Sequence, residues 1–97
     1  MKGYMVAQLD VEDAGAFEDY RNKVPAVIAR FGGRYLIRGG AVSPLEGHWP
    51  FSRLVVIEFD SVEAVRTFYH SPEYQEILPL RLATAKGAVA IVEGVPA

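Results

Sequence analysis

The chain has 97 residues, 51% of them hydrophobic and 23% charged, which suits one globular domain with a real core and argues against disorder. The formal net charge is -2, and the ten Lys and Arg residues are scattered, so no nucleic-acid footprint is expected. There are no cysteines, which excludes disulfides, thiolate metal sites and cysteine nucleophiles and is compatible with a reducing compartment.

At the start, Lys2 is followed at once by a strand-like pattern and not by the apolar core of a signal peptide. No apolar run approaches the ~20 residues that cross a bilayer. A cytoplasmic location without a membrane partner is therefore expected for a single domain spanning 1–97.

Gly3 to Asp10 reads as the first strand, apolar on both faces. Asp13 is placed to cap a helix in which Phe17, Tyr20, Val24, Val27, Ile28 and Phe31 form one stripe. Pro25 lies inside that stripe and predicts a kink or short break. Gly32 or Gly33 supplies the left-handed residue that ends the helix. Arg34 to Arg38 is the second strand, framed by a glycine pair on each side, and Gly39 to Ser52 is a long connection. Arg53 to Phe59, rich in β-branched residues, is the third strand, paired antiparallel with the second.

Asp60 is read as the cap of a second helix, with Glu63 as its capping-box partner. Ser71-Pro72 restarts the helix as N-cap and first residue, and Pro79 marks a further kink or new turn. Gly87 ends this region, leaving Ala88 to Glu93 as the fourth strand. The order β-α-β-β-α-β is the split pattern of ferredoxin-like α+β folds: a four-stranded antiparallel sheet with the helices on one face.

That topology leaves one sheet face bare, yet the first, third and fourth strands are apolar on both. A sheet of four strands about 20 Å long presents roughly 400 Å². Leaving it in water costs on the order of 10 kcal/mol at about 25 cal/mol/Å². The economical cover is the same face of a second copy, so a homodimer with the sheets face to face is expected. On the sheet, placing Leu36 opposite Val56 brings Arg34 opposite Glu58, a cross-strand ion pair, and Arg38 opposite Leu54. The faces then divide into a more polar even-numbered one and an apolar odd-numbered one holding Tyr35, Ile37, Val55, Ile57 and Phe59.

The candidate chemistry is sparse. His48, in Glu46-Gly47-His48-Trp49-Pro50, is either an acid–base group near neutral pH or a solvent-facing loop histidine. Trp49 covers a pocket or sits at the dimer seam. His70 fits the C-terminus of the short helix better than a catalytic role. No metal-ligand spacing, dinucleotide or phosphate loop, or nucleophile elbow occurs, so neither a metal nor a cofactor is expected. Arg38, Arg53 and Arg81 are placed to converge on an anion such as a carboxylate, and structural ion pairs would explain the same residues. Tyr20, Tyr69 and Tyr74 lie on or near apolar helix faces, where a hydroxyl can reach a cavity.

Several segments together resemble the family grouped as domain of unknown function thirteen-thirty. They are Lys2-Gly3-Tyr4, Phe31-Gly32-Gly33-Arg34-Tyr35, Arg38-Gly39-Gly40, Leu45-Glu46-Gly47 with Trp49-Pro50, Arg53 to Phe59, and Ser71-Pro72-Glu73-Tyr74 followed by Arg81. The resemblance implies a ferredoxin-like fold and a dimeric α+β barrel, but no established reaction. The wider barrel group includes cofactor-independent oxygenases, muconolactone isomerases and haem-handling enzymes. Two functions follow as expectations. One is an enzyme of oxygenase or isomerase type acting on a small organic acid. It would bind through Tyr20, Arg38, Trp49, Arg53, Tyr74 or Arg81, with His48 or Tyr69 moving protons. The other is a non-catalytic binding or accessory dimer.

Overall fold

A computed structural model describes residues 1–96. The elements are β1 (Gly3–Val11), α1 (Ala14–Arg30), β2 (Arg34–Gly40), β3 (Arg53–Phe59), α2 (Val62–Tyr69), α3 (Pro72–Thr84) and β4 (Ala85–Glu93). The strands form one antiparallel sheet in the order β2-β3-β1-β4, the ferredoxin-like arrangement that the element order predicts. The helices cover the odd-numbered face. Met5, Ala7 and Leu9 of β1 and Ile57 and Phe59 of β3 pack there against Phe17, Tyr20, Val24 and Ile28 of α1 and against Val65, Phe68, Tyr74 and Ile77.

Side-chain caps set the helix starts. Asp13 Oδ1 accepts from the Ala16 amide at 3.0 Å, as its place before the apolar stripe implies. The cap of α2 is Ser61 and not Asp60: Ser61 Oγ accepts from the Ala64 amide at 3.0 Å. With the cap one residue later, Ala64 takes the position that a capping-box glutamate needs, and Asp60 instead pairs with Lys2 at 3.1 Å. Ser71 caps α3 by accepting from the Tyr74 amide at 3.1 Å, and its hydroxyl donates to the Phe68 carbonyl at 2.7 Å. One buried serine thus fixes the corner between α2 and α3.

Neither internal proline breaks its helix: α1 and α3 each run through as one element. Pro25 has no N–H to give the carbonyl four residues earlier, that of Arg21. The Arg38 guanidinium takes the vacant place, donating to the Arg21 carbonyl at 3.3 Å. The helix end is as expected, with Gly32 at φ 78 after Arg30 and Phe31. β4 begins three residues earlier than its composition suggests. Gly87 does not stop the chain; it lies in the strand where a Cβ would meet the Gln8 carbonyl oxygen at 1.9 Å.

The register of β2 on β3 departs from simple alternation. Arg34 does lie opposite Glu58 and Tyr35 opposite Ile57, but Ile37, not Leu36, is opposite Val56, and Arg38 is opposite Val55, not Leu54. Leu36 is an extra residue in a β-bulge, and its side chain is 53% exposed. A bulge exchanges the faces of everything beyond it. Ile37 therefore turns to the open face and Arg38 to the helix side, the reverse of the alternation read from the sequence.

The expected Arg34–Glu58 pair forms. Arg34 Nε donates to Glu58 Oε1 at 2.7 Å, and Tyr4 donates to Oε2 at 2.9 Å. Around this corner the open face carries Val6, Val56, Ala90 and Val92, in register across β3, β1 and β4. No helix of the described residues is long and apolar enough to cross a membrane.

Candidate functional site

A cleft opens between α1 and the sheet where β2, β3 and β1 diverge from the helix. Its apolar wall includes Met5, Leu9, Val24, Val55 and Ile57, and its polar lining is Tyr20, Arg21, Tyr35, Arg38, Arg53 and Arg81. Its enclosed volume is small, about 40 Å³, well below that of a typical small-molecule site, so a ligand would have to widen it.

Each cation reaches the cleft by a distinct device. Arg38 is turned inward by the bulge, anchored on the Arg21 carbonyl, and stacked with its Cζ 4.7 Å from the Tyr35 ring centre. Arg53 starts β3, with its Cζ 5.5 Å from the Phe17 ring centre. It also lies against Gly39, where a Cβ would meet the guanidinium carbon at 2.7 Å. Gly39 is the extra residue of a second irregularity in β2 and has φ 71, a conformation natural to glycine. Arg81 comes from α3 and is only 6% exposed.

Among the described residues two buried side-chain donors have no partner: Arg53 Nε and Arg81 Nε. Among the described residues, no carboxylate lies within salt-bridge distance of Arg38, Arg53 or Arg81; Arg21 alone of the lining arginines has one, Glu18 at 3.2 Å. A buried, unsatisfied donor costs about 1–3 kcal/mol, more when charged. Burial holds the pKa of Arg53 below its ordinary value, and the like charges of Arg21 and Arg38 add to the effect. At Arg81 burial also opposes the charge, but the phenols of Tyr74, Tyr20 and Tyr69 outweigh it and the pKa lies above the ordinary value.

Tyr20 and Tyr74 share one hydrogen bond of 2.9 Å between their hydroxyls. Tyr74 is fully buried and has no other partner for its hydroxyl hydrogen. The satisfied arrangement has Tyr74 donating to Tyr20, which leaves the Tyr20 hydrogen free for the cleft. Burial, reinforced by Tyr74, raises the Tyr20 pKa far above that of a free phenol, so Tyr20 is a neutral donor and not a base. The polar groups of the cleft are thus chiefly donors, a set suited to an anion.

Tyr20, Arg38, Arg53 and Arg81 line the same cleft, with Tyr74 directly behind Tyr20. The other residues weighed in the sequence do not join them. Tyr69 and His70 border a separate hollow beside β4, with Val65, Val89 and Ile91. Trp49 lines a shallow depression with Val42, Pro44 and Phe51, and His48 is an exposed residue of the same loop. Arg21 and Tyr35 were missed. Arg21 follows Tyr20 on α1 and precedes Pro25 by four residues, a spacing that identifies its carbonyl as the one left open. Among the described residues no three His, Asp or Glu side chains are grouped to hold a metal.

The family described as "Domain of unknown function (DUF1330)" matches residues 2–95. The chain belongs to that family. No functionally curated protein matches it. Among solved structures, a protein of unknown function from Rhodopseudomonas palustris superimposes with a TM-score of 0.80 at 18% identity, covering 99% of this chain and 84% of that one. SnoaB, a cofactor-independent oxygenase from Streptomyces nogalater, gives 0.62 at 16% identity over 99% and 95% of the two chains. A dimeric protein of unknown function with a ferredoxin-like fold from Bacteroides fragilis gives 0.66 at 15% identity over 96% of each. At these identities the likeness shows a common fold.

Proposed function

We propose that this DUF1330 chain is a homodimeric small-molecule protein that takes an organic acid into the cleft between α1 and the sheet, and that it acts on that acid as an oxygenase or isomerase without a cofactor. The observation that carries the reading is the pair of buried guanidinium Nε–H groups, on Arg53 and Arg81, that have no partner beside an apolar wall. An organic carboxylate satisfies such donors while its carbon body lies on Met5, Val55 and Ile57. Tyr20 would donate to an oxygen that gains negative charge as the acid reacts, lowering the barrier without removing a proton itself. The similarity to SnoaB supports this class of chemistry.

The second reading, a dimer that binds without converting, is favoured by one observation: among the described residues no histidine or carboxylate lines the cleft. In either case the partner copy covers the open sheet face at Val6, Val56, Ala90 and Val92. Native mass spectrometry of the purified protein tests the reading. A dimer mass with a co-purified organic acid, released by Arg81→Gln, is expected. A monomer at micromolar concentration contradicts the assembly, and an Arg81→Gln protein that keeps the same small molecule contradicts the site.

A further inference from the structure

The cations of the cleft enter from opposite walls. Arg38 and Arg53 come from the sheet, one on each side of the β2–β3 connection, and they meet at Gly39. Arg38 is exposed and marks the mouth. Arg81 comes from α3, is nearly fully buried, and lies among the phenols of Tyr20 and Tyr74. Between them the lining is aliphatic, formed by Met5, Leu9, Val24, Val55 and Ile57.

We propose that the ligand is an apolar organic molecule with two anionic groups, an aromatic dicarboxylate in kind, held at the buried end by Arg81 and Tyr20 and at the mouth by Arg38 and Arg53. This rests on the reading that the cleft takes an organic acid, and it names the class of acid. The first argument is charge. Three arginines without a carboxylate partner face one cleft, and a single carboxylate leaves most of that charge uncompensated. The second is donor geometry. The unpartnered Nε–H groups belong to arginines on different walls, and each guanidinium presents a planar fork that pairs with a carboxylate of its own. The third is the middle of the cleft, where aliphatic side chains suit a flat carbon skeleton and leave no acceptor for a sugar or peptide.

Two features preset the mouth for this task. The Arg38 guanidinium is anchored on the Arg21 carbonyl that Pro25 leaves free, so part of its side-chain entropy is already lost before binding. Arg53 rests on Gly39, a position without a Cβ to displace it.

The test is a calorimetric titration at fixed ionic strength with isophthalate, benzoate and methyl benzoate, on the wild-type protein and on Arg38→Gln and Arg81→Gln. Isophthalate is expected to bind about tenfold or more tighter than benzoate, the effect of one added charge-assisted contact. In Arg38→Gln that advantage is expected to disappear, with circular dichroism checking that the fold persists without the Arg38–Arg21 contact. In Arg81→Gln both anions bind more weakly. Equal affinities for isophthalate and benzoate would overturn the two-anion ligand and leave the organic-acid reading standing. An advantage for isophthalate that survives in Arg38→Gln would overturn the assignment of the mouth. Failure of both anions to bind, or methyl benzoate binding as well as benzoate, would remove the proposal and the reading beneath it together.

Discussion

Tyr20 and Tyr74 show how much one proton decides. Their hydroxyls are 2.9 Å apart, and only if Tyr74 donates are both satisfied. Tyr20→Phe would remove the acceptor and leave the Tyr74 hydroxyl buried without a partner, a loss of about 1–3 kcal/mol. Tyr74→Phe would leave no hydroxyl hydrogen buried without an acceptor, although it also takes away one of the phenols beside Arg81. Urea unfolding is therefore expected to rank Tyr20→Phe as the more destabilised variant; the opposite ranking would reverse the direction of the bond. Glu58 makes a second prediction at this scale. The Tyr4 hydroxyl, assisted by Arg34, holds its pKa below the ordinary 4.5. A carboxylate whose folded pKa is depressed stabilises the fold above its unfolded value and loses that contribution as pH falls through the folded one. Tyr4→Phe should therefore lower the urea midpoint at neutral pH, and its deficit against the wild type should shrink as pH falls below 4.5. A deficit independent of pH would mean that Tyr4 contributes by packing and not through Glu58.

At the scale of elements, the bulge in β2 matters most, because it sets Arg38 opposite Val55, on the helix side. Deleting Leu36 would remove the extra residue and leave Ile37 opposite Val56 and Arg38 opposite Val55, so Arg38 would keep facing the helices. Isophthalate binding, followed by calorimetry, is therefore expected to survive the deletion, with the sheet preserved by circular dichroism; its loss would show that Arg38 depends on the bulge itself and not only on the face it shares with Val55. Gly39→Ala would place a Cβ at φ 71 and against the Arg53 guanidinium. A loss of about 1–3 kcal/mol in stability is expected from the backbone conformation, measured by urea unfolding.

This bulge is also where reading by alternation stopped being sufficient. The strand and helix order, the Asp13 and Ser71 caps, and the Arg34–Glu58 pair follow from local patterns, since each depends on residues that the sequence places side by side or in simple register. Leu36 carries no mark of being the extra residue. The glycines at 39 and 40 looked like a loop opening because the reason for the first, the nearness of Arg53 to Gly39, is a tertiary one. Ser61 displaced Asp60 as a cap because two adjacent capping residues compete and the final geometry chooses. Half of the site was legible as arginines and tyrosines near helix faces. His48 and Trp49 stood out by rarity of type, which says nothing about which side of the sheet their loop lies on.

On the scale of the whole molecule, the helices fully occupy one sheet face, while the other carries aliphatic residues of β1, β3 and β4 around the Arg34–Glu58–Tyr4 corner. Covering that face with a second copy removes the apolar area from water, and Val56→Lys at its centre should convert the dimer to monomers in sedimentation equilibrium. A dimer as tight as the wild type would place the interface elsewhere. The cleft lies on the opposite side of the sheet, under the helices, so each protomer would carry the proposed anion site on its own. The measurement that bears most directly on that site is a nitrogen–proton NMR titration that follows the arginine Nε–H resonances as isophthalate is added. Saturable downfield shifts of the Arg53 and Arg81 Nε–H signals are predicted. Unchanged signals at both arginines under saturating acid would contradict the assignment of the cleft as an organic-anion site.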